Sequence, residues 1–151
     1  MMTPYEQLDQ RFAELKPSLP LAERPQRGWI RAVRTALGMR TGQMAKRMNV
    51  SQPRINELEK AEIQGSITLS SLERAAQALG CRVIYAFVPE RPLADTIRDR
   101  AYKLAEQKLA SVEQTMRLEA QEVTDKQQRQ ADLRQLAETY IERPARLWNE
   151  A

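Results

Sequence analysis

The sequence predicts an all-α protein that carries one short strand near its middle and a long helical extension at its C-terminal end. Apolar residues recur at helical spacing along most of the chain before residue 80. Residues 82–88 are instead rich in Val, Ile, Tyr and Phe, the residue types that favour strands. Between Leu93 and Arg143 there is neither glycine nor proline, and helix-forming residues dominate.

The first helix is predicted from a capping signal near the N-terminus. Thr3 supplies the capping hydroxyl, Pro4 suits the first helical position, and Glu6 stands at the third. Prolines at positions 17, 20 and 25 end the helical pattern, so residues 17–26 are expected to be an extended connector. Residues 1–26 are therefore assigned to an N-terminal helix and its connector.

Four short helical patterns follow, and together with the strand they define a predicted domain at residues 27–90. The first begins at Trp29 and the second at Thr41. Asn49 suits a left-handed turn between the second and third helices, and Ser51 is the N-cap of the third. The fourth helix is expected to begin with a capping box at Ser70.

The predicted strand, residues 82–88, suggests how the chain associates. An isolated strand leaves backbone donors and acceptors unpaired, and the strand of a second copy would satisfy them. We therefore expect a homodimer, with contacts through Val83, Ile84, Tyr85, Ala86 and Phe87. Residues 91–151 are predicted to form a helical C-terminal region of one or two long helices.

Composition argues against an enzyme. The chain has no histidine, a single cysteine and only five glycines, which are not clustered. Histidine-based triads, imidazole metal sites and glycine-rich phosphate loops are therefore excluded, and no cofactor or metal is expected. The start of the chain lacks the pattern of a signal peptide, and no apolar run approaches the length of a membrane span. A cytoplasmic location is expected, where a single thiol stays reduced.

The charge is unevenly distributed along the sequence. Residues 1–90 hold 13 Lys and Arg against 9 Asp and Glu, whereas residues 91–151 hold 11 of each. Eight basic residues and no acidic one lie between Glu23 and Glu57. A block of one sign repels itself, so an anionic partner is expected for this part of the chain.

The stretch 30–60 resembles the Cro/C1 (XRE) family of helix-turn-helix repressors. The matching positions are Arg34, Leu37, Gly38, Met39, Thr41, Gln43, Met44, Ala45, Val50, Ser51, Gln52, Ile55, Leu58 and Glu59. The resemblance implies a five-helix-type DNA-binding domain, with Arg34 and Glu59 paired between the first and third helices. Asn49 departs from the family pattern, which has glycine there.

A recognition helix enters the major groove by its N-terminal end, so the first residues of the third helix are expected at base edges. Glutamine suits adenine and arginine suits guanine. The expected base contacts are Gln52, Pro53, Arg54 and Glu57. The expected contacts to operator phosphates are Arg40, Thr41, Gln43, Lys46, Arg47, Ser51 and Lys60.

A wider stretch, about residues 5–110, resembles the proteins called mobile mystery protein A. The resemblance rests on runs such as Gly28-Trp29-Ile30-Arg31, Glu59-Lys60-Ala61-Glu62 and Ala78-Leu79-Gly80-Cys81. It implies an antitoxin-like repressor paired with a Fic-domain toxin. The spacing of Thr115 and Glu119 partly matches an inhibitory motif of such antitoxins, but Ala120 stands where Gly or Asn is needed, so inhibition is not assigned to them.

Three functional hypotheses follow from the sequence. The first is a sequence-specific repressor, the antitoxin of a toxin–antitoxin operon. The second is a protein-interaction module whose C-terminal helices mask a partner enzyme. The third is an enzyme, for which the usual catalytic groups are missing.

Overall fold

The computed structural model describes residues 1–118 and 126–149, and in these ranges every regular element is a helix. Seven α-helices and two 3₁₀ helices follow one another in these two ranges. The α-helices are α1 Pro4–Leu15, α2 Trp29–Ala36, α3 Thr41–Met48, α4 Gln52–Gln64, α5 Leu69–Ala78, α6 Leu93–Leu118 and α7 Lys126–Glu142. The 3₁₀ helices are Lys16–Ala22 and Pro144–Trp148.

The chain divides into two compact units. One unit comprises Pro17–Phe87 and contains α2 to α5. The other comprises Met1–Lys16 and Val88–Ala151, so that α1 belongs with α6 and α7.

In the unit that contains α1, helices α6 and α7 pack side by side in opposite directions. Ala101 and Ala105 of α6 are buried with Ala137 of α7, and their small side chains let the two backbones approach closely. Leu147 of the second 3₁₀ helix is also fully buried in this cluster. The carboxylate of Asp9 on α1 accepts hydrogen bonds from the first backbone N–H groups of α6, a cap supplied from a distant part of the chain.

The predicted start of α1 is confirmed. The Thr3 hydroxyl accepts a hydrogen bond from the backbone N–H of Glu6 at 3.3 Å. The Glu6 carboxylate in turn accepts one from the backbone N–H of Thr3 at 2.7 Å. This is the reciprocal capping box expected from the residue types and their spacing.

The other unit is built around one small apolar core. Met44 and Ile55 are fully buried at its centre, and Ile30, Ala45, Leu58, Ala75 and Leu79 complete it. Each of the four helices contributes to this cluster, which fixes α4 against the others. The unit has four α-helices in its described residues, one fewer than the five-helix type that the resemblance implied.

The predicted strand is wrong. Residues 82–88 run without regular structure and without a ladder to any described part of the chain. Their apolar side chains are largely exposed: Ile84 to 80%, Tyr85 to 72% and Phe87 to 83%. β-Branched and aromatic residues favour a pleated, half-buried surface, and no such surface is available to this segment within one chain.

Two further details of the sequence prediction need correction. The connector is not extended throughout, because Lys16–Ala22 forms a 3₁₀ helix that contains Pro20. The fourth helix of the domain begins earlier than Ser70. Thr68 is its N-cap, and the Thr68 hydroxyl accepts a hydrogen bond from the backbone N–H of Ser71 at 3.1 Å. Of the pair Thr115 and Glu119, the second lies outside the described residues.

Candidate nucleic-acid interface

The helix-turn-helix consists of α3, a tight turn and α4. Asn49 ends α3 in the left-handed conformation, with φ of 56°, as its residue type predicted. Ala45 and Met44 of α3 are buried with Ile55 of α4, and the small side chain at 45 allows the two helices to cross closely. The core therefore holds α4, the predicted recognition helix, in a fixed orientation.

A side-chain hydrogen bond joins the first residues of the two helices. The Gln52 amide nitrogen donates to the Thr41 hydroxyl over 3.0 Å. Beside this pair, the Gln43 amide oxygen accepts a hydrogen bond from the backbone N–H of Arg40 at 2.8 Å, which satisfies one donor before α3. These polar groups lie at the N-terminal ends of α3 and α4, where backbone N–H groups favour an anion.

The predicted base-contact residues lie on the exposed side of α4. Gln52, Pro53, Arg54 and Glu57 are all exposed, whereas Ile55 between them is fully buried. The Arg54 guanidinium donates to the Glu57 carboxylate at 3.2 Å, with the two side chains 45% and 66% exposed. An exposed pair of this kind is weak, about 0.2–1 kcal/mol, so Arg54 can exchange Glu57 for another acceptor.

The predicted phosphate contacts divide into free and occupied side chains. Lys46 and Lys60 are exposed and make no ion pair in the part of the chain that the structure describes. Arg47 is occupied: its Nε donates to the backbone carbonyl of Ala78 at 2.8 Å, at the end of α5. Ser51 stands at the N-cap of α4, as predicted, but its hydroxyl makes no capping hydrogen bond.

Arg34 and Glu59 form the pair that the family resemblance implied. Arg34 Nε lies 2.6 Å from Glu59 Oε1, and the side chains are only 13% and 11% exposed. Arg34 also donates to the backbone carbonyl of Met39 at 3.0 Å, in the segment that leads into α3. The pair joins α2 to α4 and to this segment, so its role is to hold α4 in place.

Sequence reasoning missed the role of Glu62. This buried carboxylate accepts hydrogen bonds from the backbone N–H groups of Trp29, at 2.7 Å, and Ile30, at 3.0 Å. It thereby caps the N-terminus of α2 from the far end of α4. Gly28, which precedes α2, has φ of 88°, and a Cβ there would lie 2.8 Å from the Glu62 carboxylate. A glycine N-cap without a side chain of its own was the signal that a distant cap was needed.

Four of the eight basic residues between Glu23 and Glu57 make side-chain hydrogen bonds within their own unit. Arg24 donates to the backbone carbonyl of Glu62 at 2.7 Å, and Arg34, Arg47 and Arg54 have the partners described above. The remaining four are Arg27, Arg31, Arg40 and Lys46, all exposed and without an ion pair among the described residues. The local excess of positive charge therefore stays at the surface.

Other kinds of site are not found among the described residues. No group of three or more cysteine or acidic side chains there is arranged to hold a metal ion. Nor does any described helix combine the length and the apolar character needed to cross a membrane.

Comparison with known proteins gives one match. The family model described as helix-turn-helix matches residues 30–85, a little over a third of the chain, which include α2 except its first residue and the whole of α3, α4 and α5. No curated protein and no solved structure matches the chain. The match is to a DNA-binding regulatory domain and not to an enzyme family. Residues 30–85 thus belong to the helix-turn-helix family of the Cro/C1 (XRE) type, and the chain is a DNA-binding transcriptional regulator.

Proposed function

We propose that the protein is a sequence-specific repressor that reads its operator with the N-terminal end of α4. The observation that carries this proposal is the exposure of Gln52 and Arg54 on a helix whose opposite side is locked by the fully buried Ile55. A rigid helix that presents polar side chains at its N-terminal end suits entry into the major groove. Base reading then follows from the side chains themselves.

Gln52 and Arg54 take different parts in this reading. The Gln52 amide, held by Thr41 through one donor, keeps an acceptor and a second donor for an adenine edge. Arg54 leaves its weak pair with Glu57 and takes the two acceptors of a guanine. Glu57 then accepts from cytosine or disfavours other bases. Lys46, Lys60 and Arg40 neutralise phosphates on either side without reading sequence.

The experiment that tests this proposal is selection of bound duplexes from a random DNA pool by the full chain, followed by sequencing. A shared motif with a two-fold repeat is the expected result. Recovery of duplexes without any shared motif, at an affinity that depends only on salt, would contradict sequence-specific binding.

We further propose that the regulator acts as a homodimer. Support comes from Ile84, Tyr85 and Phe87, three large apolar side chains that a single chain leaves exposed. A second copy covers them by side-chain packing, with no β-ladder required. Two recognition helices related by a two-fold axis then match two half-sites of an operator.

The biological setting that we propose is a toxin–antitoxin operon with a Fic-type partner protein. The support is the sequence resemblance of residues 5–110 described above, together with the balanced charge of residues 91–151, which suits a protein partner better than DNA. Co-expression with the product of the adjacent gene tests it. A stoichiometric complex with a Fic-type protein supports the proposal, and an unrelated neighbour with no complex removes it.

A further inference from the structure

An open groove lies between α3, α4 and α5, beside the recognition helix. Its volume is about 450 Å³, a size typical of small-molecule sites, which span ~300–1,000 Å³. Three guanidinium groups line it, those of Arg47, Arg54 and Arg74, whereas no aspartate or glutamate does. A concentration of like charge around one concavity is costly unless an anion offsets it.

The donors of this groove are only partly used. Arg47 engages the carbonyl of Ala78 through Nε alone, and Arg54 engages Glu57 through a single terminal nitrogen. Arg74 makes no ion pair or side-chain hydrogen bond with the described part of the chain. Guanidinium groups bind phosphate through two parallel N–H donors, so the unused donors suit a phosphate group.

The remaining lining of the groove adds two features. Met48, Val50 and Leu58 contribute apolar surface, which is continuous with the core of the unit. Ser71 contributes a hydroxyl that accepts from Thr68 and so keeps its own proton free to donate. The ligand that fits this combination has one anionic group and one apolar part.

We propose that this groove binds a small organic phosphate, whose phosphate is held by the three arginines and whose apolar part packs on Met48, Val50 and Leu58. The site itself does not depend on the proposed function. One consequence does rest on it: because Arg54 is also assigned to a base edge, the bound ligand competes with operator DNA and relieves repression.

The test is calorimetric titration of the full chain, without DNA, using phenyl phosphate as the probe. Phenol lacks the anion and inorganic phosphate lacks the ring, so both are expected to bind more weakly than phenyl phosphate. Arg74→Gln should weaken binding of phenyl phosphate by about tenfold or more. Gln77→Ala, a second change in the lining, should weaken it less, with both variants checked for unchanged thermal unfolding.

The matched control is Arg31→Gln, which removes an exposed arginine of α2 outside the groove and should leave the affinity for phenyl phosphate unchanged. Equal losses in Arg31→Gln and Arg74→Gln would overturn the proposal, because net charge and not the groove would then govern binding. Absence of phenyl phosphate binding to the folded chain would also overturn it.

A DNA titration separates the two sources of phosphate. If Arg74→Gln weakens every duplex similarly and phenyl phosphate does not bind, the groove holds the DNA backbone, and the proposal of a free ligand is wrong. If phenyl phosphate binds at the groove but no duplex is bound specifically, the ligand site stands and the proposed repressor function fails. If both bind and phenyl phosphate displaces the operator, the competition is also established.

Discussion

The side-chain amide of Gln52 is tied to the hydroxyl of Thr41, 3.0 Å away at the start of the preceding helix. This hydrogen bond joins a residue assigned to base reading with one assigned to a phosphate, so the two contacts are not independent. Gly42 lies beside the pair, and a Cβ there would be 3.5 Å from the Gln52 amide oxygen, in ordinary van der Waals contact. The hydrogen bond to Thr41 orients the Gln52 side chain in the free protein.

Thr41→Val tests this pre-orientation, because valine keeps the shape of threonine but loses the acceptor. One hydrogen bond contributes about 0.5–1.5 kcal/mol, so operator affinity should fall by about twofold to tenfold. Thr41→Ser should restore most of the affinity, and Thr35→Val on α2 should change nothing. Fluorescence anisotropy with labelled operator provides the measurement. Unchanged affinity in Thr41→Val would show that the Thr41 hydroxyl serves neither Gln52 nor a phosphate.

Glu62→Ala should destabilise the helix-turn-helix unit, because it leaves the first backbone donors of α2 without their buried acceptor. Hydrogen bonds to charged groups contribute ~1.5–3 kcal/mol, and we expect the free energy of unfolding to fall by about 2–3 kcal/mol. Urea unfolding measures it. The control is Glu73→Ala, an exposed position on α5 that should change little. Equal effects of the two substitutions would mean that Glu62 does not cap α2.

Gly28→Ala should destabilise the same unit for a different reason. Its φ of 88° is unfavourable for a residue with a side chain, and the added Cβ would meet the Glu62 carboxylate at 2.8 Å. At φ of 88° and ψ of 161° the backbone is in a region that is open essentially to glycine, at a cost of roughly 1–3 kcal/mol for other residues, and displacement of the cap adds to that. Gly65→Ala is the comparison, because its φ is also positive but nothing lies within 4 Å. Thermal unfolding that ranks Gly65→Ala as the more damaging substitution would contradict the contact with Glu62.

The α6–α7 pair should lose stability in acid. Arg129 of α7 donates to the carboxylates of Glu106 and Glu113 on α6. Hydrogen bonding to Arg129 lowers the pKa of Glu106 below its ordinary value of 4.5. A lowered pKa means that this stabilisation is present above pH 4.5 and disappears as the pH falls through the lower, folded-state pKa.

Glu106→Gln should therefore flatten the loss of stability below pH 4.5, measured by urea unfolding across a pH series. Glu138→Gln on α7, an exposed residue without an ion pair among the described residues, is the matched control and should leave the pH dependence as it is. A wild-type profile retained by Glu106→Gln would exclude Glu106 as the titrating group.

Replacement of Ile84 and Phe87 by serine should weaken the proposed dimer. Both side chains are largely exposed in one chain, so their loss removes apolar surface from the interface without opening a cavity in the core. Sedimentation velocity at several concentrations measures the association. Leu21→Ser, which removes an equally exposed apolar side chain elsewhere in the unit, should leave it unchanged. A doubly substituted chain that still dimerises would place the contact on another surface.

The sequence predicted the local structure at Thr3 and at Asn49, whereas the helix start expected at Ser70 lies at Thr68 and the Ser51 hydroxyl makes no capping hydrogen bond. Two features could be predicted from the sequence because each depends only on neighbouring residues: the capping box at Thr3 and Glu6, and the left-handed turn at Asn49. The long glycine-free region was readable as one or two helices, which the structure shows as α6 and α7 in its described parts.

Contacts between residues that are far apart in the sequence could not be predicted in this way. Charge alone placed Arg47 among the phosphate contacts, yet its guanidinium also supports the end of α5. The cap that Glu62 gives to α2 joins residues more than 30 positions apart. The prediction of a strand at residues 82–88 was wrong. The β-branched and aromatic residues there indicate side chains that favour a half-buried surface, whereas a β-ladder also needs a second strand to pair with.

The central claim, that α4 reads base sequence, is tested most directly by measuring the affinity of Arg54→Ala for a panel of single-base operator variants. We expect Arg54→Ala to lose about 1–3 kcal/mol of binding free energy with the preferred operator and to show a relaxed preference at one base pair. Lys46→Ala, assigned to a phosphate, should instead weaken all variants alike. If Arg54→Ala also shifts every variant equally, Arg54 contacts the DNA backbone, and α4 does not read sequence through this residue.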